Sequence, residues 1–191
     1  MKIYLIEREY DKFKYLEEYF KCEDVILVND SFENFMRENK VQCIVSPANS
    51  FGLMDGGYDL AITEWFGNRL QKRVQKYILE NFYGEQPVAT SFIIDAQKDN
   101  QYLIHTPTMR TPQKIVDSRI IYQCMRTTLM IAKKNDIGSI LIPMFGTSCG
   151  GIHGDIAAKM MHLAYNQIMN PPNEIDWKNI KDIKPEINCN I

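Results

Sequence analysis

Two segments of this chain combine glycines with hydroxyl, amide and carboxyl side chains. The first runs Ser46-Pro47-Ala48-Asn49 and on to Asp55-Gly56-Gly57-Tyr58-Asp59; the second is Pro143-Met144-Phe145-Gly146-Thr147-Ser148-Cys149-Gly150-Gly151. In each, a short apolar run precedes the glycines and a helical pattern follows. A strand, loop and helix in that order converge backbone N–H groups and the positive end of a helix dipole on one point, where an anion can dock. Two facing loops of this kind suit a diphosphate, and open α/β sheets bind ligands outside the carboxyl ends of their strands. Neither loop is a GxGxxG or a GxxxxGK[ST], and without the lysine of the latter the usual contact to a γ-phosphate is missing. Kinase and NTPase readings fall.

The remaining reactive residues are less organised. Five cysteines (Cys22, Cys43, Cys124, Cys149, Cys189) stand at irregular spacings with no CxxC pair, which argues against a disulfide framework and a zinc site and for reduced, space-filling thiols. Cys149 sits in the second loop, where a thiol pKa can be lowered. No histidine base is adjacent to it in sequence, so its loop amide is expected to matter rather than its sulfur. The three histidines lie far apart and none pairs with Cys or a carboxylate at ligand spacing, so metal-independent action and no cofactor are expected. His153 reads as a surface histidine near a helix start, with an acid role as the alternative. His105 and Arg110, at the end of a strand and in the loop after it, are candidates to border a ligand. His162 carries no functional expectation.

The elements that must hold these loops can be read from periodicity. Strands are expected at Lys2 to Glu7, Asp24 to Val28, Val41 to Val45, Pro87 to Ile94, Gln101 to Thr106 and Ser139 to Met144. Helices are expected at Tyr10 to Lys21, from an N-cap at Asp30 or Ser31 to Glu38, at Ser118 to Lys134 and at about Gly154 to Met169. Tyr58, Ile62, Phe66, Leu70, Val74 and Ile78 recur every four residues, a repeat that winds around one straight helix, so two helices meeting near Gly67-Asn68 fit better. Ile156, Met160, Ala164 and Ile168 mark the core face of the last helix, which Pro171-Pro172 ends. Alternating strands and helices imply an α/β sandwich around a largely parallel sheet. The tail from Pro171 could hold a short helix near Asp176 to Ile180.

The whole sequence sets the outer limits. Its 191 residues suit one domain, and 45% hydrophobic with 24% charged residues is a globular composition. A net charge of −2 with scattered Lys and Arg lacks the footprint of a nucleic-acid binder. No apolar run approaches the roughly 20 residues of a membrane helix, and the start is too quickly charged for a signal peptide. A cytoplasmic protein with neither membrane nor nucleic-acid partners is expected.

The two loops resemble the signatures of the macrodomains: N-A-A-N, a glycine run and V-D-x-A-I in the first, P-x-x-G-T-G-x-G-G after a strand in the second. Here they read Ser46 to Asn49 with Asp55 to Ile62, and Pro143 to Gly151. The order of the elements agrees from about Lys2 to Ile168. Ser46-Pro47 replaces Asn-Ala, Met54-Asp55 shortens the glycine run, and Ser148 replaces the middle glycine.

The resemblance implies a three-layer α/β/α sandwich with a mixed, largely parallel sheet over residues 1–170, a tail over 171–191, and ADP-ribose or a derivative as ligand. Asn49 would meet hydroxyls of the distal ribose, with a turn asparagine bonding its own loop as the alternative. Asp59 would position or activate water, with a helix cap as the alternative; Asp55 is the weaker candidate. Ala48, Gly56 and Gly57 would approach the ligand, Tyr58 and Phe145 would pack on ribose or adenine, and Gly146, Thr147, Ser148, Cys149, Gly150 and Gly151 would wrap the diphosphate and distal ribose. An early acidic residue, Asp11, Asp24 or Asp30, would read the adenine amino group. The leading expectation is a hydrolase acting on O-acyl-ADP-ribose, ADP-ribosylated carboxylates of proteins or ADP-ribose 1″-phosphate. The alternative is a non-catalytic binding module. Nucleosidase chemistry through a covalent lysine is disfavoured, since no lysine occurs between Lys40 and Lys72.

Overall fold

The computed structural model describes residues 1–177. Its strands are β1 (Lys2–Ile6), β2 (Val25–Val28), β3 (Cys43–Ser46), β4 (Phe92–Asp95), β5 (Tyr102–His105) and β6 (Ser139–Pro143), and its helices α1 (Tyr10–Tyr19), α2 (Phe32–Glu38), α3 (Gly57–Phe66), α4 (Arg69–Phe82), α5 (Arg119–Lys134) and α6 (Gly154–Met169). One sheet has the order β2-β1-β6-β3-β5-β4. All neighbours run parallel except β4, which pairs antiparallel with β5.

Alternation along the strands sorts the side chains into two cores. Ile3, Leu5, Cys43, Val45, Ile104, Ile140 and Ile142 face α1, α5 and α6. Ile6, Ile44, Leu103 and Leu141 face α2, α3 and α4. A helix layer on each face closes the sandwich, and burial on both faces explains why these strands are apolar throughout.

Two helices do replace one long one near Gly67, whose N–H donates to Thr63 O at 2.7 Å. Leu70, Val74 and Ile78 then form the buried stripe of α4. Ser31 caps α2, its hydroxyl accepting from Asn34 N. Two expectations need correction, and a third is not tested. The strand expected from Pro87 begins only at Phe92, because Thr90 folds back on the Pro87 carbonyl through both its N–H and its hydroxyl. In α6 the buried residues include Ala157, Met160, Met161 and Ala164, whereas Ile156 is exposed. The tail helix expected near Asp176 to Ile180 falls largely outside the described residues.

Candidate functional site

Because β1, β2, β3 and β6 run parallel, their carboxyl ends share one edge of the sheet. The loops leaving them, with the loop after β5, enclose a pocket of about 470 Å³. The β3–α3 loop contributes Pro47, Ala48, Asn49, Leu53 and Asp55 to Asp59; the loop after β6 contributes Met144 and Gly146 to Gly150. The two glycine-rich segments therefore face each other across one cavity.

Asp59 lies in the first turn of α3 but does not cap it. The N-cap position is Gly56, without a side-chain bond, and Gly57 takes φ +54°, which glycine adopts without a Cβ clash. The Asp59 carboxylate instead accepts the Ser46 hydroxyl, at the end of β3, at 2.6 Å. Both residues are buried. Burial pushes the Asp59 carboxyl up to about 7, against the Ser46 hydrogen bond, which lowers it. A carboxylate poised there can exchange a proton near neutral pH. Beside it, burial holds the Tyr58 phenol well above its ordinary range, reinforced by the charges of Asp59 and Glu33, and its hydroxyl has no hydrogen-bond partner among the described residues.

Asn49 serves its own loop. Its Oδ1 accepts from Phe51 N at 3.1 Å and Leu53 N at 3.3 Å, and its Nδ2 donates to Leu53 O at 2.9 Å. An Asn amide carries two donor hydrogens, so one remains for a ligand.

On the opposite wall, the loop after β6 is pinned by its neighbours. Ile152 N donates to Gly146 O and Ile115 N to Gly150 O. Thr147 donates its hydroxyl to Glu7 Oε2 at 3.4 Å. Ala48, Asn49, Asp55 to Asp59, Gly146 to Gly150, and hence Thr147, Ser148 and the exposed thiol of Cys149, all line the pocket.

Several expected residues are elsewhere. Phe145 is fully buried between the sheet and α5 and α6, because it follows β6 with its ring on the core side. Gly151 lies behind the loop, against the Lys114 side chain. His105 is fully buried against Phe92, bonded to Gln86 Oε1 at 2.6 Å and held neutral, its pKa pushed down to about 3 by burial. Arg110 pairs with Glu85 at 2.7 Å and lies over the Phe51 ring. His153 caps α6, accepting from Asp155 N. Asp24 bonds Tyr165 on the far side of the molecule. Asp11 is exposed on α1, while Asp30 lines the pocket.

Motif reading missed the β1–α1 turn. Glu7, Arg8, Glu9 and Lys12 all line the pocket, as does Glu33 from α2. The signal available was topological: in a parallel sheet, whatever follows a strand neighbouring the loop strand reaches the same edge. This end is rich in carboxylates, and Lys12 is already paired with Glu9 at 2.8 Å.

The family model of the macro domain matches residues 45–161, from the end of β3 through the first half of α6. The chain belongs to the macro domain family. An uncharacterized protein of Aquifex aeolicus (strain VF5) is 32% identical over 120 residues, covering 62% of this chain and 68% of that protein. Among solved macro domains, that of Oceanobacillus iheyensis with ADP superposes at a TM-score of 0.59 and 25% identity, over 66% of this chain and 68% of that one. The same macrodomain with MES bound gives 0.62 at 24% identity, over 70% and 72%. The Trypanosoma brucei macrodomain in complex with ADP-ribose gives 0.58 at 21% identity, over 69% and 53%. The macro domain sandwich, with a mixed, mostly parallel sheet, is thereby shown for this chain.

Proposed function

We propose that this macro domain binds ADP-ribose or a derivative across the pocket and hydrolyses a group attached to the distal ribose. The observation that carries the reading is the meeting of the Gly146 to Gly150 loop, the N-terminus of α3 and the Asp59 carboxylate around one cavity. The loop and helix end supply N–H donors for a diphosphate. Asp30, at the β2 end, would accept from a base amino group. Asp59 would take a proton from water as the water oxygen bonds to the electrophilic carbon or phosphorus, and the leaving oxygen would gain a proton, from Asp59 or solvent, as its bond breaks. Substrates on this reading are O-acyl-ADP-ribose, ADP-ribosylated carboxylates of a protein partner, or ADP-ribose 1″-phosphate.

Calorimetric titration with ADP-ribose, against AMP and NAD, tests the first half; selective binding in the micromolar range is expected, and its absence rejects the site. Turnover of the three derivatives tests the second half. Asp59→Ala is expected to keep ADP-ribose binding and to lose about 100-fold or more in turnover; unchanged turnover removes Asp59 from the chemistry. A binding module without turnover is the second reading. The commitment of the Asn49 side chain to its own loop favours it.

A further inference from the structure

Ser46 occupies the last position of β3, where the family signature has asparagine. It is fully buried, its carbonyl accepts from Thr106 N, and its hydroxyl meets Asp59 Oδ1 at 2.6 Å. A serine side chain has one proton to donate. Among the described residues no other side chain bonds the Asp59 carboxylate, whose second oxygen has no protein partner. That leaves one contact to set the plane of a carboxylate which also lines the pocket.

We propose that Ser46 is a positioning residue for Asp59: its hydroxyl fixes one carboxylate oxygen and so keeps the other turned to the pocket, ready for water. The proposal rests on the hydrolytic reading but adds a coupling that can be measured without turnover. Ser46 hangs from the end of β3, an interior strand of the sheet, and Asp59 from the first turn of α3, so the bond ties the carboxylate to the hydrogen-bonded sheet. An asparagine at this position would offer a longer, planar amide; a serine holds the carboxylate through a single short hydroxyl contact.

The coupling also has a sign. The hydrogen bond favours the ionised carboxylate, whereas burial favours the neutral acid. The elements packed on α3 carry Glu33, Arg37 and Glu38 (α2), Arg69, Lys72, Arg73, Lys76, Tyr77 and Glu80 (α4) and Cys43 (β3); on α3 and its approach stand Asp55, Tyr58 and Glu64. The Asp59 charge raises the neighbouring Tyr58 phenol, while the Asp59 carboxyl itself is raised by burial and lowered by the Ser46 hydrogen bond. Removing the hydroxyl therefore moves the Asp59 titration upward.

The test is carbon-13 NMR titration of the Asp59 carboxyl in the full chain, wild type against Ser46→Ala and Ser46→Thr, with pH–rate profiles on the best derivative. The midpoint is expected to rise by about one pH unit in Ser46→Ala, the range of a hydrogen bond to a charged group. The alkaline-side gain in rate should move with it, and Ser46→Thr, which keeps the hydroxyl, should restore both. An unmoved midpoint in Ser46→Ala overturns the proposal. A midpoint that moves in a protein without turnover supports the coupling and overturns the hydrolytic reading instead. If Ser46→Ala does not fold, Ser46→Cys, a weaker donor of similar size, carries the same comparison.

Discussion

Asn49 shows how a side chain can be both structural and available. Three of its bonds close the Asn49 to Leu53 turn, and the fourth direction is open. Removing the amide leaves two loop N–H groups and a carbonyl without these partners, a change worth about 1–3 kcal/mol where the groups stay buried. Asn49→Ala is thus expected to lower the melting temperature and weaken ADP-ribose together. Asn49→Asp keeps the two acceptor contacts, so it should recover most of the thermal stability while still binding poorly, because the donor is gone and a negative charge has been added. Calorimetry on ligand and protein separates the two effects; recovery of both by Asn49→Asp would mean that the free N–H does not meet the ligand.

At the scale of the elements, the two glycine-rich loops should respond differently to added side chains. Gly146 has φ +75°, and a Cβ there would stand 2.4 Å from Ile121 Cδ1 of α5. Gly146→Ala should cost about 1–3 kcal/mol in stability, from backbone strain and overpacking, as well as ligand affinity. Gly56 has an ordinary extended backbone and nothing within 4 Å of a Cβ, yet it lines the pocket. Gly56→Ala should leave the melting temperature within a degree or so of wild type, since an unstrained, uncrowded substitution changes stability little, while weakening ADP-ribose. Equal thermal losses in the two variants would contradict this account. The same contrast explains what was legible in the sequence. Glycine spacing located both loops, and strand alternation located the cores. Yet the sequence does not say which face each loop residue presents: Phe145 and Gly151 sit among ligand-type residues but turn inward or behind. Glu7 and Lys12 carry no motif at all and reach the pocket only because β1 lies beside β6. The start of β4 failed for a local reason, Thr90 closing on Pro87, which period-two counting cannot register.

For the molecule as a whole, two buried titratable groups set opposing pH dependences of stability. Asp59 has a folded pKa of about 7, raised from 3.8 by burial. Between those values the folded state holds a proton the unfolded chain has lost, so this group's stabilisation is full below about 4 and is lost as pH rises through 7. His105 has a folded pKa of about 3, lowered from 6.5 by burial. The unfolded chain binds the proton first, so its contribution is full above 6.5 and is lost as pH falls toward 3. From about pH 4 to 6.5 the two slopes, each about 1.4 kcal/mol per pH unit at full effect, have opposite signs and offset one another. Single variants should expose them. Asp59→Asn, which can still accept from Ser46, removes the destabilising charge: its stability should rise with pH across this window and exceed wild type at pH 8. His105→Asn should instead lose stability as pH rises from 4 to 6.5, whatever its absolute level. Urea unfolding at half-unit pH steps reads both slopes, and the double variant should return toward the wild-type slope. Parallel curves for wild type and Asp59→Asn would mean that Asp59 is ionised throughout, as an ordinary solvated carboxylate, and would remove the raised carboxyl pKa that makes it a base matched to neutral pH.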